Sequence, residues 1–507
     1  MSTTANRALG IMAALVLAAA VASAARADWL AYSGGPERTG FTTQAVLPPL
    51  SVAWKYATDA GDTYGVTPIV VGEMIYWVTG NDLTAIQADT AMPVWVFHAP
   101  DRIRSSPAYA DGTLYFGADN GVFYALEAET GALKWHFQSS RSIRSAPAVV
   151  DGVVYVGTND AKVFALDAAT GDMKWEFRSG DDVYAAITVT GSTVWVTSTD
   201  NTLHGVDLRN GHEKWSIPFI GAGGLRYAPA AQDRRAYLAV KDRVYRISAS
   251  GMSRPLGGAL SARISAPLAL GRNHLYAGCR DGMLYALSPT GGRVEWSYQL
   301  HGAVLAQPLV AGNLVVAGGS QGEVVALDAD TGALRWIYGE RAPWEPERGV
   351  NYQLMAAAAS GGALYLSWDD GRMARLTADA DDISPPEITR LTPEAGSPAG
   401  PVSPTASVVV GANVYDVGSG VNPAAVTMTL DGNALQLTRS TSGDYYHSLS
   451  SSKSAPALEN GWHTVVVTAQ DQRGNQTTKT WTFLCHLETT EEGETVQPGD
   501  VGTTETF

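Results

Sequence analysis

Six arginines are the residues whose type and spacing first suggest chemistry. Arg104 stands three residues before Pro107, Arg144 three before Pro147, and Arg226 three before Pro229. Arg102, Arg141 and Arg263 lie in the same connecting segments. A guanidinium keeps its charge at any physiological pH and presents a planar fork of donors suited to carboxylate and phosphate oxygens. Their convergence in a chain of formal charge −15 reads as an anion-binding mouth. The competing reading pairs them with Asp119, Asp160, Asp181 or Asp182 in neighbouring loops. Trp344 is a further candidate contact. It sits in YGERAPWEPERGVNY (338–352), a long mixed-charge loop that either meets a partner or packs on itself. Asp416, Asp471 and Asn475 offer oxygens to Ca2+, but their setting favours local turn hydrogen bonds. The nine histidines show no H-E-x-x-H spacing, and no P-loop occurs. Two cysteines, Cys279 and Cys485, exclude a disulfide framework, a zinc-finger array and a Cys-ligated cluster. No catalytic residue and no metal ligand is assigned.

The elements that must position these arginines come from a repeat. Trp54, Trp95, Trp135, Trp175, Trp215, Trp296 and Trp336 are spaced 41, 40, 40, 40, 81 and 40. The 81 is two periods with one anchor missing, near Pro255. Each unit holds four short runs rich in β-branched and aromatic residues. In 146–177 these are separated by Asp151-Gly152, Asn159-Asp160 and Thr170-Gly171. Such runs with Asp-Gly turns are antiparallel strands. Four strands per ~40 residues make a propeller blade, and no sustained 3.6-residue period supports helices. First strands fall near Thr67, Ser106, Ala146, Ala186, Ala228, Ala266, Gln307 and Met355, giving eight blades. The last unit, 352–377, stops after three strands. The orphan SVAWKYA (51–57) is expected to supply its fourth and so to pair the two ends of the ring. The arginines then lie in loops between blades, at one face of the channel.

The string YVGTNDAKVFALDAATGDMKW resembles the PQQ-like (quinoprotein-type) propeller repeat, and recurs as YFGADNGVFYALEAETGALKW and VAGGSQGEVVALDADTGALRW. The resemblance covers about 50–378 and includes the BamB-like, eight-bladed members. It implies that the Trp of one blade packs on the next. The leader DWLAYSGGPERTGF (28–41) resembles the segment that precedes such propellers. In dehydrogenases of the family the resemblance implies a quinone and Ca2+ above the channel, with an adjacent Cys-Cys ring, a stacking Trp and a Glu/Asn/Asp set. Cys279 and Cys485 are 206 residues apart, so that ring cannot form.

The remaining segments frame the propeller. Residues 1–27 read as a secretory signal peptide, with Arg7, an apolar run and Ala25-Arg26-Ala27 before Asp28. Loss of Arg7 and Arg26 takes the charge to −17. After a linker at 379–387, residues 388–487 show alternating strands at 407–416, 425–432, 463–471 and 477–485. DVGSGV, LDGNAL and AQDQRGNQ there resemble bacterial Ig-like domains. The tail 488–507 holds six acids and no bases, a disordered composition. The expected architecture is all-β: an eight-bladed β-propeller followed by an Ig-like β-sandwich. The expected role is a periplasmic or secreted, non-enzymatic scaffold without a cofactor. Its partner is another envelope or secreted protein, or an anionic ligand, with no nucleic acid and no transmembrane segment. The alternative is a PQQ-dependent dehydrogenase of alcohols or sugars.

Overall fold

The structure is a computed structural model, which describes residues 28–58, 66–338, 353–378, 386–393, 398–402, 409–416, 420–442, 446–451, 459 and 461–487. The expected signal peptide, Trp344 with its loop, and the acidic tail lie outside the described residues. The chain divides into two compact units at Asp381–Asp382. Among the described residues the regular structure is strand, apart from two short 3-10 turns at Tyr32–Gly34 and Pro423–Ala425.

The first unit is built of eight sheets of four antiparallel strands each, and one of them carries a fifth strand, Phe41–Thr42 of the leader, parallel to Leu309–Ala311. Seven blades span 69–98, 108–138, 148–178, 188–218, 230–256, 269–299 and 309–338. Their first strands touch one another in sequence, and the first strand of the eighth blade (Leu354–Ser360) touches that of blade 1 (Ile69–Val71). The ring is therefore closed. Blade 8 takes its outer strand from the other end of the chain. Leu50–Ala57 runs antiparallel to Arg372–Ala378, with Leu50 opposite Ala378 and Ala57 opposite Arg372. The orphan strand falls where the repeat count requires it. In blades 1 to 7 the first strands begin two or three residues later than the sequence pattern indicates, because the preceding pair, X-Pro in all but blade 4, belongs to the loop; in blade 8 the strand begins at Leu354, one residue before Met355.

Local chemistry explains the unit. Asp151 and Gly152 both take positive φ (50° and 71°), the conformation that a two-residue hairpin turn demands. The glycine of Tyr-Val-Gly has a different reason. A Cβ on Gly157 would lie 2.3 Å from Cγ1 of Val183, which comes from the loop leading into the next blade. That glycine lets adjacent blades approach.

Blades are joined by a shared acceptor. Ala168 O receives the Trp135 indole N–H at 3.0 Å and the Tyr115 hydroxyl at 3.0 Å, both from the preceding blade. Ala128 O receives Trp95 and Tyr76 in the same way, Leu208 O receives Trp175 and Tyr155, and Ala329 O receives Trp296 and Tyr276. The carbonyl's two lone pairs make this double acceptance possible. At the closing joints, Trp336 donates to Leu50 O at 3.1 Å, and Trp54 to Ala88 O at 2.8 Å. Blade 5 has Pro255 at the anchor position. There the joint is backbone against backbone, since a Cβ on Gly257 would lie 2.3 Å from Gly292 O. Tyr237 still donates to Pro289 O at 3.1 Å.

The second unit is a pair of sheets. One contains Glu387–Thr392, Gly411–Tyr415, Tyr446–Ser451 and Leu437–Ser442; the other contains Pro398–Val402, Gln476–Leu487, Gly461–Gln470, Thr427–Leu430 and Asn433–Ala434. Val410, Ala412, Val414 and Leu449 of the first meet Met428, Val465, Val467, Trp481, Phe483 and Cys485 of the second in one core, which is a β-sandwich. Five of these strands exceed the four that alternation alone marks out. Asp471 accepts from the backbone N–H of Arg473 and Asn475, each at 2.8 Å, and Asp416 accepts from that of Gly420 at 3.1 Å. These carboxylates serve turns.

Two predictions follow from these contacts. Trp336 is fully buried, so Trp336→Ala should lower the unfolding free energy by about 3–5 kcal/mol in urea denaturation of the full chain. Trp336→Phe, which keeps most of the ring and loses the donor, should cost about 1–2 kcal/mol. In the second unit, His463 Nδ1 lies 2.6 Å from Asp431 and its Nε2 2.8 Å from Glu459 O, so both ring nitrogens face acceptors. Burial works against the imidazolium, but these partners outweigh it and hold His463 above the ordinary histidine range. Burial of Asp431 is likewise outweighed by His463, which holds the carboxyl below its ordinary range. The pair's stabilisation is therefore lost as pH rises through the elevated His463 pKa, and as pH falls through the depressed Asp431 pKa. NMR titration should place the His463 midpoint above about 6.5. His463→Gln should lose most stability between those limits and little at alkaline pH.

Candidate functional site

The loops entering each blade share a pattern that positions the arginines. Ile103, Ile143, Val183, Leu225, Ile264 and Val304 are all buried. Each donates its backbone N–H to the middle turn of the preceding blade, at Gly80, Ala118, Thr158, Ser198, Lys241 and Cys279 respectively. With that anchor fixed, the following residue turns toward the channel. Those following residues are Arg104, Arg144, Tyr184, Arg226, Ser265 and Leu305. Arg104, Arg144, Tyr184, Arg226 and Leu305 line a cavity of about 300 Å3 at the channel mouth.

The leader closes this cavity from below. Trp29 pairs with Val70 of blade 1. Leu30 O then accepts from Tyr109 N, Pro36 O from Val189 N, Glu37 O from Ala231 N, Thr39 O from Leu270 N and Gly40 O from Val310 N. The leader thus visits the inner strands of blades 1, 2, 4, 5, 6 and 7. Arg38 is its staple. The guanidinium donates to Pro147 O at 2.6 Å, Tyr32 O at 2.8 Å and Ile187 O at 2.9 Å, with longer contacts to Gly35 O and Ala146 O. Burial lowers its pKa to about 10, so it stays charged at neutral pH. Tyr32, packed among Ala146, Ala185, Ala186 and Ala228, has its phenol pushed up to about 12 by burial. Trp29, Tyr32, Ser33 and Gln307 also line the cavity, and the buried Trp29 indole N–H has no acceptor among the described residues.

At the mouth, Arg104 and Arg144 share one carboxylate. Their Nε atoms lie 2.9 and 2.7 Å from the two oxygens of Asp119. Arg226 lies over the Tyr184 ring at 5.6 Å, and no carboxylate of the described residues is within 4 Å of it. The Tyr184 phenol is raised first by its hydrogen bond to Asp182, then by burial, while Arg144 and Arg226 act in the opposite direction. Tyr227 donates its hydroxyl to Ser265 O at 2.8 Å. Three guanidiniums thus face the cavity with Asp119 between two of them.

The other sequence candidates fall elsewhere. Arg102, Arg141 and Arg263 are exposed, precede the buried anchor in their loops, and do not line the cavity. Tyr184 does line it, although sequence reasoning did not select it. The repeated aliphatic anchor one residue earlier is the signal that finds it. Asp160 is engaged by Ser140, Thr158 and Lys162, and Asp181 offers its backbone carbonyl to Ser179 and Ser198. Gly318-Gly319-Ser320-Gln321-Gly322 has the G-x-S-x-G spacing of hydrolase nucleophiles. Here Ser320 sits in a turn between antiparallel strands, accepts from Ala303 N, and has no hydrogen bond to His301. Cys279 and Cys485 are both free and buried, each in the core of its own unit; burial pushes the Cys279 thiol up to about 12. The described residues do not fit a quinone-bound Ca2+. Asp119 is already held by two guanidiniums, and no three His, Cys, Asp or Glu side chains among the described residues converge as metal ligands.

The closed ring and its aromatic latches define a PQQ-like, eight-bladed β-propeller. A family model described as outer membrane protein assembly factor BamB matches residues 51–145, 79–258 and 250–380, more than half of the chain, and this chain belongs to that family. Curated proteins named outer membrane protein assembly factor BamB are similar over shorter regions. The one from Shewanella oneidensis is 34% identical over 113 residues, 22% of this chain and 28% of that protein. The one from Burkholderia pseudomallei is 26% identical over 188 residues, 35% of this chain and 49% of that protein. The chain therefore spans about half or less of the curated relatives it matches. The crystal structure of BamB from Moraxella catarrhalis aligns with TM-score 0.53 at 17% identity, covering 65% of this chain and 98% of that one. The quinohemoprotein alcohol dehydrogenase from Comamonas testosteroni aligns with TM-score 0.57 at 16% identity, covering 69% and 80%. Likeness at that identity is a likeness of fold. No helix among the described residues is long and apolar enough to cross a membrane.

The two kinds of arginine should separate by stability. Arg38→Met leaves the carbonyls of Tyr32, Pro147 and Ile187 without their donor and should cost about 3 kcal/mol or more in urea unfolding. Arg226→Gln, at an exposed position, should change stability by no more than about 0.5 kcal/mol.

Proposed function

We propose that this chain is an exported, non-enzymatic scaffold in cell-envelope protein assembly, working in the periplasm or beyond it. The propeller presents its channel-mouth face to another envelope or secreted protein, or to an anionic group on it. Arg104, Arg144 and Arg226 form the centre of that face, with Arg102, Arg141, Arg263 and Trp344 as proposed outer contacts. The Ig-like reading of 388–487 makes that unit a spacer or a second adhesive module. The observation that carries this reading is the family match across the whole propeller. The mouth chemistry supports it. Fixed guanidiniums on a rigid ring suit recognition and orientation of an acidic surface. A nucleophile paired with a base has no counterpart there among the described residues.

Deletion of the gene in its own host should lower the amount of folded outer-membrane β-barrel protein, and the wild-type gene should restore it. A triple variant, Arg104→Glu, Arg144→Glu and Arg226→Glu, checked for folding by its unfolding transition, should fail to restore it. Full restoration by the triple variant would overturn the mouth as the working face. The dehydrogenase alternative predicts that PQQ with Ca2+ raises the melting temperature and yields dye-linked oxidation of an alcohol or sugar. The scaffold reading predicts neither.

A further inference from the structure

We propose that the channel-mouth cavity is a carboxylate-binding cup, taking one carboxylate-bearing group between Arg144 and Arg226 over the Tyr184 ring. This deepens the reading of the channel mouth as the working face and rests on it.

The geometry carries the inference in three ways. First, the leader forms one wall of the cavity: Trp29, Tyr32, Ser33 and Gly40 line it, and that segment is held by Arg38 and by backbone bonds to six blades. At about 300 Å3 it suits a small acid or the end of a peptide rather than a folded surface. Second, charge at the mouth is unbalanced: Arg104, Arg144 and Arg226 stand against two carboxylates, Asp119 and the Asp182 that accepts from Tyr184. Arg144 uses Nε for Asp119, and its terminal amino groups have no partner among the described residues. Arg226 faces an aromatic ring and no described carboxylate. Asp119, shared with Arg104 and outside the cavity lining, fixes the Arg144 side chain. It thereby lowers the ordering cost of binding. Third, the walls are shaped for a group with an apolar body and an anionic end. Tyr32, Tyr184, Tyr227 and Trp29 line the cup, with Ala146, Ala186 and Ala228 leaving it open. Between these partly enclosing walls a carboxylate on two guanidiniums is attracted more strongly than at an open surface. The same chemistry is offered by a free di- or tricarboxylic acid and by an acidic peptide end.

The test is titration calorimetry on the full chain at low ionic strength. The ligands are citrate, an acetylated peptide ending in two glutamates, and the same peptide with a C-terminal amide and glutamines. Saturable binding of citrate or the acidic peptide is expected, with no binding of the neutral peptide. Arg144→Gln and Arg226→Gln should each weaken binding by about tenfold to a hundredfold, as expected when one charge-assisted hydrogen bond is lost. Arg178→Gln, on the outer strand of blade 3 and outside the cavity, should leave it unchanged. Tighter binding of citrate assigns the cup to a free acid, and tighter binding of the peptide assigns it to a partner's terminus. No binding of either ligand would overturn the proposal, as would equal weakening by Arg178→Gln. These outcomes are independent of the assembly role. A cup that binds carboxylates in a chain whose deletion leaves envelope β-barrels unchanged would sink the scaffold and leave the site standing.

Discussion

Closure of the ring is the constraint on which everything else depends. Seven blades with an open gap would expose two strand edges and leave the inner strands without lateral support. Pairing of Leu50–Ala57 with Arg372–Ala378 removes that gap with residues more than three hundred positions apart in sequence. The latches then act between every pair of neighbours but one. At four joints a tryptophan and a tyrosine from one blade converge on a single carbonyl of the next and so fix both separation and rotation. The joint after blade 5 lacks the tryptophan, and two glycines in backbone contact take its place. Shape complementarity there replaces a side-chain hydrogen bond.

A rigid ring makes the channel mouth a place where loop residues have fixed directions. The aliphatic anchor in each entering loop is tied to the preceding blade by its backbone N–H and buried by its side chain. The next residue has no choice but the channel. In blades 2, 3 and 5 that residue is arginine, in blade 4 tyrosine, in blade 6 serine and in blade 7 leucine. The mouth is therefore asymmetric on a nearly symmetric frame, with positive charge gathered along one arc. The leader adds the second asymmetry. Threaded under the mouth, it converts a through-channel into a cup, and Arg38 holds it by satisfying carbonyls that the inner strands leave unpaired.

Much of this was readable in the sequence because repetition amplifies weak signals. The tryptophan period fixed the blade count, the unmatched strand at 51–57 implied closure, and Pro255 marked the joint without an anchor. Turn residues such as Asp151-Gly152 announced their conformation. The rest depended on contacts that no local pattern reveals. Arg38 lies in a short leader whose partners are spread over blades far away in sequence. Arg104 and Arg144 were recognisable as candidates, but their sharing of Asp119 needs the register of two adjacent blades. Arg102, Arg141 and Arg263 were grouped with them because they occupy the same loops. Each precedes the buried anchor and so lies outside the cavity lining. Tyr184 is marked only by its position after the buried anchor Val183, which residue type alone does not reveal.

The central claim is that the anion-facing cup at the channel mouth is the working site of the propeller. Hydrogen–deuterium exchange of the full chain, with and without a saturating carboxylate ligand, tests it most directly. The account predicts slowed exchange in the loops 141–147, 182–187 and 224–229, with the outer strands unchanged. Protection confined to the outer strands or to the second unit, with the mouth loops unaffected, would contradict it.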